Sequence, residues 1–117
     1  MTNNNSSKKE DLPKDADGNS LRLLVENGSD ISKEMEIDFA MTIPDEKAGM
    51  EFAEYAFDHG FKTTVSYDEK YDRWTCYCSK VMVPSYSSLI REQEWLAEAG
   101  IRFQAKPDGW GTFGNAI

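Results

Sequence analysis

At 117 residues the chain has the length of one domain, and 39% hydrophobic and 12% aromatic content is enough for a core without disulfides or metals. Its formal net charge of −8 argues against binding nucleic-acid phosphates, and no basic patch offsets it. The densest basic groupings are Lys8–Lys9 and the scattered Lys62, Lys70, Arg73 and Lys80. No stretch of the sequence is apolar enough for a signal peptide or a membrane span, so a cytoplasmic location is expected.

Residues 1–16 are polar and rich in Asn, Ser, Lys and Asp. They lack the apolar surface that would offset the entropy of ordering, so a disordered tail is expected there, with a single domain over 17–117. Residues 19–27 predict a short helix, because Leu21, Leu24 and Val25 recur at helical spacing. Asp17 or Asn19 is its expected cap, and Gly28 follows its end. Residues 34–43 alternate strictly: Met35, Ile37, Phe39, Met41 and Ile43 on one face, Glu34, Glu36, Asp38 and Thr42 on the other. That is a half-buried strand with an acidic wet face.

From 45 to 59 the period becomes helical. Pro44 suits a helix start, and Asp45 and Glu46 suit its positive dipole end. Ala48, Phe52, Tyr55, Ala56 and His59 share the broad side, while Glu51, Glu54 and Asp58 form a separate stripe. Residues 61–68 alternate again, a polar turn spans 68–72, and a third strand runs from Arg73 to about Val83 with Trp74, Cys76 and Cys78 on one face. The phase is lost at Val81–Val83, where a bulge is expected. After Pro84, residues 85–99 predict a second long helix, ended by Gly100. Ile101–Phe103 are expected to begin a last strand, and Pro107–Gly111 to form a Gly-rich turn.

The order is a leading helix, then β-α-β-β-α-β. Its economical solution is an α+β, ferredoxin-like fold: a four-stranded antiparallel sheet with two helices on one face and a short N-terminal helix before it.

Catalytic chemistry finds little support. His59 is the only histidine and sits at a helix end, so no His-paired nucleophile is available. Cys76 and Cys78 lie two apart on one strand face and are expected to be core thiols. No metal-ligand set and no phosphate-binding glycine loop occur, so neither metal nor cofactor is expected. What stands out is acidity: residues 30–60 carry nine carboxylates against Lys33 and Lys47. Such a segment is either a solvated face or a docking surface for a basic protein. Trp95, beside Gln93 and Glu94 on the polar side of its helix, is a contact candidate expected to be partly covered. Trp110 either caps the core or forms, with Phe113, an exposed anchor.

LLVENGSD at Leu23–Asp30, the acidic strand and helix after it, LAEAG at Leu96–Gly100 and KPDGWGTF at Lys106–Phe113 are carried by a chain that resembles the regulator of ribonuclease activity B family, inhibitors of ribonuclease E, over about residues 20–113. The resemblance implies an α+β fold, no catalytic residues, and regulation of RNA decay by binding an endoribonuclease or a component of its complex. It also implies a long acidic C-terminal tail, which residues up to Ile117 do not include. The partner-binding residues expected are Glu36, Asp38, Glu51, Glu54, Asp58, Trp95 and Trp110. Two alternatives are an immunity or antitoxin-like protein that neutralises a basic toxin, and a ligand-binding or enzymatic module on the open sheet face.

Overall fold

The structure, a computed structural model, describes residues 12–116. Most of the expected tail, residues 1–11, therefore lies outside the described residues. Leu12 is buried, and Arg22 Nη1 donates to the carbonyls of Leu12 and Pro13 at 2.9 and 3.0 Å.

Helix α1 spans Ala16–Glu26. Its cap is Asp15, whose carboxylate accepts the Gly18 N–H, not Asp17 or Asn19. Strand β1 (Met35–Ile43) has the alternation expected of it: every odd position is buried. Helix α2 (Glu46–Asp58) starts at the Asp45 cap, which accepts the Ala48 N–H. Strands β2 (Lys62–Asp68) and β3 (Arg73–Met82) form the expected hairpin. Helix α3 (Tyr86–Gly100) follows, capped by Ser85, and β4 is Lys106–Gly111.

All strand pairings are antiparallel and the order is β2-β3-β1-β4, the ferredoxin-like arrangement with α1 added in front. Helix α2 packs over β2 and β3, and α3 over β4. The core lies between helices and sheet, where Phe39, Phe52, Phe61, Ile37, Leu89 and Leu96 are fully buried. Opposite them, Glu36, Asp38, Tyr77 and Ser79 belong to the open face of the sheet, as the register of Asp38 with Ser79 and of Ala40 with Tyr77 requires.

Three further expectations need correction. Ile101–Phe103 do not begin a strand but form a 3-10 turn that continues α3, closed by Gln104 in the left-handed region at φ 58°. A three-residue apolar run cannot distinguish the two, and Phe103 turns inward to meet Phe52 edge-on at 5.6 Å. Pro107–Gly111 are not a turn but belong to β4. Pairing to β1 overrides the turn propensity, and Pro107 is tolerated because β4 is an edge strand. The expected bulge at Val81–Val83 is absent: the β1–β3 register is continuous through Val81 and Met82, and Val83 lies beyond the strand. A bulge sits instead in β4, where Asp108 and Gly109 stand opposite the single residue Ala40, and Gly109 takes φ 90°.

Candidate protein-docking surface

Helix α2 buries Gly49, Phe52, Ala53 and Ala56, which puts Lys47, Glu51, Glu54 and Asp58 on its outer side. Among the described residues none forms an ion pair with Glu51, Glu54 or Asp58. Three carboxylates at consecutive turns of one helix, all exposed and unneutralised, make a local negative field.

Beside this stripe lies a set of aromatic rings that joins α2 to α3. The Trp95 indole is half-buried and stacks on His59 at 3.6 Å between centroids, with 9° between the planes. It also stacks on Tyr55 at 5.8 Å and 6°. The Arg102 guanidinium lies 4.5 Å from the Tyr55 ring centre and 4.8 Å from that of Phe103. Tyr55, Trp95, Glu98, Ala99, Ile101 and Arg102 line a shallow concavity of about 360 Å³, and Ile101 at its rim is 68% exposed. Tryptophan, tyrosine and arginine are the residue types that dominate protein-interface hot spots. The expectation that Trp95 is partly covered holds, and the cover is aromatic. His59 ends α2, where its backbone N–H donates to Ala56 O, and its ring belongs to this stack.

The open sheet face is chemically different. Two concavities of about 730 and 580 Å³ share Ala40, Tyr77 and Asp108. Several of their carboxylates already have partners inside the protein. Lys62 holds Glu36 at 2.9 Å, Arg73 holds Asp108 at 3.1 Å, and the Ser79 hydroxyl donates to Asp38 at 2.6 Å. The Glu36 carboxylate also keeps the Lys62 ammonium above its ordinary range, through the hydrogen bond and the charge.

The seven residues expected to bind a partner therefore fall into three places. Glu51, Glu54, Asp58 and Trp95 come together on the outer surface of the helical layer. Glu36 and Asp38 lie on the opposite face of the sheet. Trp110 is half-buried against the core, and its indole N–H donates to Asp17 of α1 at 2.8 Å, alongside Gln93 Nε2 at 3.1 Å. Sequence reasoning missed Tyr55, Ile101 and Arg102. The period placed Tyr55 with the inward residues and gave 101–103 to a strand. The Tyr55–His59 spacing of one helical turn was the available signal.

Catalytic and metal chemistry has little to build on here. Cys76 and Cys78 are fully buried with their sulfurs 3.9 Å apart, and this contact together with burial keeps the Cys78 thiol protonated far above its ordinary range. Among the described residues no group of three or more His, Cys, Asp or Glu side chains could hold a metal ion. Among them, too, no helix is long and apolar enough to cross a membrane.

Comparison with protein families supplies the biological frame. Residues 14–112 match the family model described as regulator of ribonuclease activity B. The chain belongs to this family. The match runs from the cap of α1 through β4, so the unpaired carboxylates of α2 and the rings of α3 both lie within the part shared with regulators of ribonuclease activity. No curated protein matches the chain.

Proposed function

We propose that this chain regulates a ribonuclease in the cytoplasm by binding the enzyme, or a component of its complex, and not by catalysis. It docks through the outer surface of α2 and α3. Glu51, Glu54 and Asp58 meet a basic segment of the partner, and Trp95 with Tyr55 and Ile101 meets an apolar side chain next to it. The observation that carries this reading is the juxtaposition of unpaired carboxylates with a half-exposed aromatic stack on one surface. Family membership supports the regulatory role. An acidic protein and an enzyme built to hold RNA are electrostatically complementary, which favours fast encounter and correct register.

The test is binding to the purified endoribonuclease of the same cell, measured by calorimetry. E51Q/E54Q/D58N keeps side-chain size and the helix, and is expected to weaken binding by about tenfold or more. W95A is expected to cost at least as much, because it removes the stacked ring that His59 and Tyr55 hold in place. Unchanged affinity in both variants would move the docking site elsewhere. Weakening instead by E36Q/D38N would assign it to the open sheet face.

A further inference from the structure

The two edges of the sheet are finished differently. On one side β4 carries Pro107, a bulge at Asp108–Gly109 and a second glycine at Gly111, all devices that blunt an edge against pairing. On the other side β2 is a seven-residue strand, Lys-Thr-Thr-Val-Ser-Tyr-Asp, in unbroken register with β3. It has no proline, no glycine and no bulge, and among the described residues no strand pairs with its outer side.

The helical layer is also unfinished above that edge. Helix α2 turns Tyr55 toward α3, so the flank of the helix that holds Met50 and Phe57 faces away from α3 and lies over β2. Met50 is 57% and Phe57 65% exposed. On the same face of the sheet Val65 is only half-buried and Tyr67 is exposed. Apolar side chains are thus bare along a strand whose outer backbone groups have no partner strand.

The strand is complementary to itself. Antiparallel pairing of two copies about a two-fold axis at Val65 sets Lys62 opposite Asp68 of the second copy, Thr63 opposite Tyr67 and Thr64 opposite Ser66. Both ends then carry a cross-strand pair of opposite charge. Lys62 and Asp68 lie on the open face, since their β3 partners are Ser79 and Arg73. The Lys62 contact with Glu36 is exposed, and an ammonium has donors for both carboxylates. On the helix face the same axis brings Val65 of each copy together under Met50 and Phe57.

We propose that β2 is a self-association site, through which a second copy of this chain extends the sheet to eight strands. The symmetry is isologous, as in most homodimers, and main-chain hydrogen bonds along the strand are supplemented by burial of Met50, Val65, Phe57 and Tyr67. The pairing leaves the α2–α3 docking surface free on both copies, so a dimer offers two such surfaces, and the proposal does not depend on the ribonuclease reading.

Thr64 and Ser66 are exposed and opposite one another in this register, which allows a test without disturbing the core. Sedimentation equilibrium of the unmodified chain is expected to give twice its 13.3 kDa mass. T64K/S66K and T64E/S66E each place like charges face to face and are expected to sediment as monomers. An equal mixture of the two is expected to return to the dimer mass. Circular dichroism of each variant checks that it is folded. A monomer for the unmodified chain up to about 1 mM, the weak end of specific association, would overturn the proposal. So would variants that still dimerise singly, or a mixture that stays monomeric.

Discussion

Single residues decide how α1 is attached. The Asp15 carboxylate accepts both the Gly18 N–H and the Tyr86 hydroxyl, so one side chain caps α1 and links it to α3. Both hydrogen bonds favour the ionised acid, the tyrosine bond most, and hold Asp15 below its ordinary 3.8. The same contact favours the protonated phenol and holds Tyr86 above its ordinary 10.0. The signs follow from linkage. The Asp15 contribution is present above 3.8 and is lost as pH falls through the lowered value. The Tyr86 contribution is present below 10.0 and is lost as pH rises through the raised value. Unfolding midpoints in urea are therefore expected to be less sensitive to pH at both extremes in Y86F than in the unmodified chain. Equal pH profiles would remove this contact from the account. Trp110 acts in the same way, because its bond to Asp17 ties β4 to α1 and makes it a clamp.

At the scale of elements, the decisive contact is that of α2 with the sheet. Gly49 lies on the inward side of the helix, and a methyl group there would stand 2.1 Å from Ile43 Cδ1 and 3.3 Å from Val65 Cγ1. Alanine is favoured over glycine in a helix by about 1 kcal/mol. Ile43 is itself buried, so its Cδ1 has little room to give, and forcing a methyl into a packed interface costs about 1–3 kcal/mol. G49A is expected to lower stability by up to about 2 kcal/mol in chemical denaturation. I43V, which removes the Cδ1 in the way, is expected to recover part of the loss when the two are combined. A G49A variant more stable than the unmodified chain would mean that α2 rides higher on the sheet than the geometry here places it. The consequence for function is direct, because the depth of α2 sets how Tyr55 and His59 meet Trp95 on the neighbouring helix.

For the whole molecule, the charge of −8 has an uneven address. On the open sheet face Glu36, Asp108 and Asp38 are held by Lys62, Arg73 and the Ser79 hydroxyl, whereas Glu51, Glu54 and Asp58 on the outer side of α2 have no ion-pair partner among the described residues. Between α3 and β3, Lys80 and Glu92 form a pair at 3.1 Å with side chains only 27% and 17% exposed. That pair ties α3 to the sheet and adds nothing to the external field. Steering by an exposed carboxylate surface is screened over about 8–10 Å at physiological salt. The association rate with the ribonuclease is therefore expected to fall by about tenfold or more between low salt and about 0.5 M, with a smaller change in the dissociation rate. A rate independent of salt would leave the aromatic stack as the sole basis of docking.

Elements with a strong period are legible in the sequence alone. The strict alternation of β1, the helical spacing of α2 and α3 and the short β2–β3 turn were enough to give the order of elements and the ferredoxin-like sheet. Those patterns are direct images of which side faces the core, so they are readable without partners. The family resemblance was legible in the same way, in strings such as KPDGWGTF. Features set by a distant neighbour are not legible there. Lys106–Gly111 is a strand because the edge of β1 offers hydrogen bonds, and local chemistry alone favours a turn. Trp110 points to Asp17 across 93 positions of sequence, and Ile101–Phe103 is a turn because Phe103 finds Phe52. The division of the acidic residues into a sheet face where Glu36, Asp38 and Asp108 have partners among the described residues and a helical face where Glu51, Glu54 and Asp58 do not was equally hidden. A charge pattern counts carboxylates, but only the fold says which of them already has a partner.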